Sequence, residues 1–287
     1  MIYRFLFRRK PSGNLYSLRT AGVALLIGIA PASLLAQKTA IYDNNLYAYR
    51  QGMELFEKEK YGAAQNAFEK ATIEVSDQNA DLRVTAEYYV ALCALKLFNR
   101  DAEYLFNRFI EDHSENPRVR AAYFQLGVYK FRNKSYSKAI EWFNKVDVYD
   151  LNNEELSEYY FKLGYSYFVK EDYERARKLF YEIKESDTKY SNPATYYYSH
   201  ISYLNNNYET ALQGFEKLST GGSFQSVVPY YIAQIYYLQK KYEKLIEYAQ
   251  PLLDSANRSS EASAQVGNKR IPEIARLIGE SYYATDQ

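Results

Sequence analysis

The chain is short of the residues that most chemistry needs. It has one cysteine, Cys93, and two histidines, His113 and His200, in 287 residues. A single cysteine excludes an internal disulfide, and with two histidines 87 residues apart it leaves no zinc spacing. No glycine-rich loop of the phosphate-binding kind is present. Gly221-Gly222 is followed by no lysine and reads as a turn. The acid pairs Glu154-Glu155 and Glu171-Asp172 fall at helix starts or turns, where carboxylates complement the helix dipole or hydrate the surface. No catalytic constellation, metal site or cofactor motif emerges. Strong charge of one sign is missing too. Net charge is +1, and residues 1–36 hold five bases and no acid, so the remainder carries about −4. That balance argues against a nucleic-acid partner.

Tyrosine is abundant instead, at 33 residues, with 15 phenylalanines and 47% hydrophobic residues overall, enough for a large core. The first 36 residues form a separate class. Arg4, Arg8, Arg9, Lys10 and Arg19 precede the apolar run 21–30, then come Pro31 and a small residue at Ala36. This is the layout of a secretory signal. The competing reading, an uncleaved anchor, has 16 residues broken by proline against the roughly 20 that span a bilayer. Cleavage after Ala36 is expected, although Leu34 is large for its place. No cysteine follows the apolar core to carry a lipid. Cys93 lies in the apolar run 90–95 and reads as a core residue. Export without disulfides suits a periplasm or outer membrane of a Gram-negative-type bacterium.

Beyond residue 37 one pattern recurs. Tyr160, Leu163, Gly164, Tyr167, Tyr173, Ala176, Phe180 and Ile183 match Tyr123, Leu126, Gly127, Lys130, Tyr136, Ala139, Phe143 and Val146, which lie 37 residues upstream. The first four of each set fall at i, i+3, i+4 and i+7, one stripe of a helix. A polar turn follows, then the stripe of a second helix. Glycine inside a helix costs about 1 kcal/mol relative to alanine, so its recurrence implies close packing. Counting by the small residue of each first helix gives 52, 91, 127, 164, 199 and 233, with serine at 199. The second copy is degenerate, since Ala102 fits only with a changed turn.

This pattern resembles the tetratricopeptide repeat, a helix-turn-helix unit. The resemblance implies an all-α, right-handed superhelical solenoid. Units are expected near 45–78, 84–116, 120–153, 157–190, 192–224 and 226–256, with the first helix of a seventh at 271–285. Leu253 to Arg270 reads as a separating stretch. Ile274, Leu277, Ile278 and Tyr282 are expected to lack a partner helix, so that the array is cut short or another chain covers this end.

The resemblance also implies that first helices line a concave side where partners bind. Residues one place after the core stripe should face it. These are Tyr49, Met53 and Phe56; Phe124, Val128 and Phe131; Phe161, Tyr165 and Phe168; Tyr196, His200 and Tyr203; and Tyr230, Gln234 and Tyr237. Each triplet makes a second apolar stripe. Two explanations stand: packing against the neighbouring unit, or an aromatic groove for an extended peptide or a partner helix. The expected function is a non-catalytic scaffold or adaptor of the bacterial cell envelope, with other proteins as partners. Membrane contact would come only through the signal segment or a partner. The alternative is glycan binding at the outer membrane through the same aromatic groove. An enzyme with its catalytic part beyond Gln287 is a third possibility.

Overall fold

A computed structural model describes residues 46–75, 79–259 and 270–285, all within the compact unit Asn45–Gln287. The expected secretory leader, residues 1–36, lies outside the described residues. Among the described residues there are thirteen α-helices and no strand. They are α1 over 46–57, α2 Tyr61–Glu74, α3 Ala80–Lys96, α4 Ala102–Asp112, α5 Arg118–Arg132, α6 Tyr136–Phe143, α7 Asn153–Val169, α8 Tyr173–Ile183, α9 Ser191–Leu204, α10 Tyr208–Ser219, α11 Val228–Leu238, α12 Tyr242–Ser259 and α13 Ile271–Ala284. Each described helix packs on the next in sequence. First helices also touch across units, α3 with α5, α5 with α7 and α11 with α13. This is the stacking of a helical-repeat solenoid.

Local signals set the helix ends. The Asn152 side chain accepts from the Glu154 and Glu155 amides while Glu155 accepts from the Asn152 amide, a reciprocal cap that starts α7. Asp172 accepts from the Arg175 amide at 3.2 Å to start α8. The turns within units share one backbone. Glu59, Phe98, Lys134, Glu171, Asn206 and Lys240 all have φ between 56° and 63°. The amide three residues past each first helix's end reaches back five residues, as in Lys60 to Leu55 at 2.8 Å, Ser135 to Lys130 at 2.9 Å and Asp172 to Tyr167 at 3.0 Å. This closure satisfies helix-end carbonyls through a left-handed residue. In the second unit five residues, 97–101, join the helices where three serve elsewhere, which is the changed turn that Ala102 requires.

The core is a series of phenylalanines, one on each of α2, α4, α6, α8 and α10. Phe68, Phe106, Phe143, Phe180 and Phe215 are fully buried. Glycine lets three of them approach the first helix. A Cβ on Gly52, Gly127 or Gly164 would lie 2.7, 2.6 or 3.0 Å from the ring of Phe68, Phe143 or Phe180. A tyrosine of the next first helix stacks on three of the five rings: Tyr89 on Phe68 at 5.0 Å, Tyr197 on Phe180 at 5.4 Å and Tyr231 on Phe215 at 5.1 Å. Neighbouring units therefore cohere through aromatic pairs in addition to buried area.

Three expectations need correction. Ile274, Leu277 and Ile278 do not lack a partner; they are buried with Ala233, Leu245 and Ala249 of the sixth unit. The face of α13 that carries Gly279 is the open one, with nothing within 4 Å of a Cβ placed there. The stretch after Leu253 is not wholly a separator, since α12 runs through Pro251 to Ser259. Burial of Leu245 and Ala249 holds that helix together despite one missing amide. His113 is not simply solvated: its Nε2 lies 2.6 Å from Glu87 Oε2 and its ring 5.1 Å from Phe109, tying the end of α4 to α3.

Candidate functional site

The second stripe of each first helix is half-buried along most of its length. In the middle of the array its rings form a continuous strip that crosses three unit boundaries. Phe131 of α5 meets Tyr165 of α7 edge-on at 5.6 Å. Phe168 at the end of α7 lies 5.8 Å from His200 of α9. His200 and Tyr203 then reach Tyr231 of α11 at 5.3 and 5.5 Å. Phe161 contacts Tyr165, Tyr190 and Tyr197, and Tyr196 stacks on Phe224 at 4.7 Å. The structure thus brings Phe131, Phe161, Tyr165, Phe168, Tyr196, His200 and Tyr203 together.

Other candidates stand apart. Tyr49 and Phe56 belong to the first unit, Tyr49 against Phe68 and Phe56 against Tyr61 and Tyr89. Tyr230 packs beside Tyr231 and under the Arg270 guanidinium, 4.9 Å from the ring centroid. Tyr237 contacts Tyr242 and donates its hydroxyl to the Glu280 carboxylate, which raises the phenol pKa and lowers that of Glu280. Gln234 is half-buried between these two tyrosines in sequence, and Met53 and Val128 are half-buried too. Phe124, at 3% exposure, is closed into the core against Phe143 and offers no ring to a ligand.

The strip is apolar and weakly charged. Lys162, paired with Glu158 at 2.6 Å, sits 5.3 Å over Phe131. Burial pushes the Tyr196, Tyr197 and Tyr203 phenols upward and the His200 imidazole downward. His200 is therefore neutral near neutrality. Its Nδ1 is buried with no hydrogen-bond partner among the described residues. An unprotonated Nδ1 costs less there than a buried N–H, so the proton belongs on Nε2. Cys93 is fully buried, its thiol pushed up to about 12 by burial, which suits a core residue and not a nucleophile. Among the described residues no group of three or more His, Cys, Asp or Glu could hold a metal ion, and no helix is long and apolar enough to cross a membrane.

The stacking tyrosines Tyr89, Tyr197 and Tyr231 escaped the sequence reading. Their signal was a tyrosine in the next first helix 16 to 21 residues after each core phenylalanine.

The tetratricopeptide repeat family matches residues 98–152. No curated protein matches the chain. Among solved structures, that of pilF from Pseudomonas aeruginosa is 13% identical, covering 86% of this chain and 100% of that one with a TM-score of 0.52. A tetratricopeptide repeat protein from Parabacteroides merdae is 13% identical, covering 86% of this chain and 87% of that one with a TM-score of 0.50. The apo form of RapI is 14% identical, covering 84% and 75%, with a TM-score of 0.50. These likenesses concern the fold, an all-α tetratricopeptide-like repeat array.

Proposed function

We propose that the protein is a non-catalytic scaffold of the bacterial cell envelope, exported by its leader, that holds a segment of a partner protein along the face made by its first helices. The observation that carries this reading is the aromatic strip from Phe131 to Tyr231. Its rings hold one another in place across unit boundaries while each keeps part of its surface open. Rigid, half-open tyrosines give large contact area at little entropic cost and retain a hydroxyl for hydrogen bonding. The near absence of free charge on the strip suits an apolar or aromatic side-chain row, presented by an extended peptide or an amphipathic helix.

Photo-crosslinking in the cell that makes the protein tests this. A benzophenone amino acid at Tyr165 or Tyr203 should trap a defined protein partner, whereas one at exposed Tyr181 on α8 should not. Equal trapping at all three positions, or none at the first two, would overturn the proposal.

A further inference from the structure

Phe98 sits where its chemistry is least rewarded. It occupies the left-handed place of the α3–α4 turn, at φ 63°, where the other five turns carry glutamate, lysine or asparagine. A bulky apolar residue is disfavoured in that backbone region. Its ring gains little from burial, being 70% exposed, with the Arg132 guanidinium 4.1 Å from its centroid. Leu97 beside it is 38% exposed, and Val169 and Leu204, the last residues of α7 and α9, are 40% and 43% exposed.

These tips share one edge of the array. Arg132 donates to the Leu95 carbonyl at 3.3 Å, joining the second turn to the third. One cleft is lined by Lys134, Tyr136 and Lys138 of the third turn with Val169 and Lys170 of the fourth. Another is lined by Lys170, Glu171, Asp172, Tyr173 and Glu174 of the fourth unit with Asn205 of the fifth. Between the tips lie Lys96, Arg100, Lys134, Lys138 and Lys170, all exposed and in no ion pair among the described residues. Of the acids beside them, Glu103, Asp172 and Glu174 are held by Lys130, Arg175 and Arg177, which leaves Asp101 and Glu171.

We propose that this edge rests on the surface of an anionic lipid bilayer, with Leu97, Phe98, Val169 and Leu204 entering the headgroup region and the lysines meeting lipid phosphates. Separate protruding tips enter a fluid phase without needing complementary pockets, and the clefts between these turns are polar. An acidic protein surface would match the charge but would leave the apolar tips in water. The inference does not depend on the groove reading, and it extends membrane contact from the leader to the folded array.

Sedimentation of the full chain with vesicles of phosphatidylcholine, with or without phosphatidylglycerol, tests it, since the leader contributes equally to every variant. Each lysine near an anionic surface is worth roughly a fivefold gain in binding, so Lys134→Gln, Lys138→Gln and Lys170→Gln together should weaken binding to the anionic vesicles about a hundredfold. Phe98→Ser, which also relieves the turn, should weaken it about tenfold. In a Trp142→Phe background, Phe98→Trp should report a blue-shifted emission with anionic vesicles and none with phosphatidylcholine alone. Unchanged emission, or binding of the lysine variant equal to wild type, overturns the proposal. So does loss of binding to polyglutamate with vesicle binding intact.

Discussion

Gly214→Ala should loosen the fifth unit, and Ser199→Gly made with it should restore the loss. In the first, third and fourth units the small residue lies on the first helix. In the fifth, Ser199 takes that place and the relief moves to the facing helix. A Cβ on Gly214 would come 1.9 Å from Ser199 Oγ and 3.2 Å from its Cβ. Ser199 is fully buried and donates to the Thr195 carbonyl at 2.8 Å. Alanine at 214 gains about 1 kcal/mol of helix propensity. It also overpacks the contact at about 1–3 kcal/mol and costs about 1 kcal/mol for the displaced hydrogen bond. The net loss is about 1–3 kcal/mol. With Ser199→Gly present, the nearest atom is Thr195 Cγ2 at 3.5 Å, an ordinary contact, and the same alanine becomes favourable. The coupling between the two changes is therefore about 3 kcal/mol. Repeat arrays lose all-or-none unfolding, so a local readout is needed. Hydrogen exchange of α9 and α10 amides should show the coupling as about a hundredfold in protection, from the tenfold per 1.4 kcal/mol relation. Additivity within about 0.5 kcal/mol would refute the reasoning.

Gly127→Ala, whose Cβ would press on Phe143 at 2.6 Å, should lower the denaturation midpoint, while Gly279→Ala, with open space around it, should raise stability by up to about 1 kcal/mol; shifts of the same sign would contradict the packing account. Lys134→Gly and Glu171→Gly, both at positive φ, should each stabilise by about 0.5–1 kcal/mol in chemical denaturation, because relief of the left-handed strain outweighs the entropy of glycine in the unfolded chain. His200 should titrate by NMR below the ordinary histidine value of about 6.5. Since burial lowers its folded pKa, the unfolded chain binds the extra proton first, and stability present above the unfolded pKa should fall as pH drops below it. A His200→Gln variant should lose that part of the pH dependence, and an unchanged stability–pH curve would remove His200 as its source.

The repeat was legible because its determinants are local. Glycine, alanine and phenylalanine at fixed spacings fix which helix faces meet, and polar triplets mark the turns. The groove face was legible as a stripe, but its use residue by residue was not. Phe124 and Phe161 occupy equivalent places in their units, yet the first is enclosed and the second half-open. What decides is the side chain the next helix lays over each, and that depends on stacking angle, which no single helix encodes. The His113–Glu87 pair spans 26 residues and joins two helices, so local spacing could not show it. The buried face of α13 was misjudged for a related reason. The expectation credited a first helix only with its own second helix, whereas α13 packs backward onto α11 and α12.

The left-handed turns have a consequence for how such a chain is built. Each hairpin is latched by its own backbone, through atoms every residue possesses, whatever side chain sits at the bend. Among the described residues, the segments between hairpins show no such latch, and the segments differ in length. Slack added there costs only about 0.6 kcal/mol per doubling. The chain can therefore gain or lose whole hairpins as modules, while a single residue inserted at a latch would break its wiring.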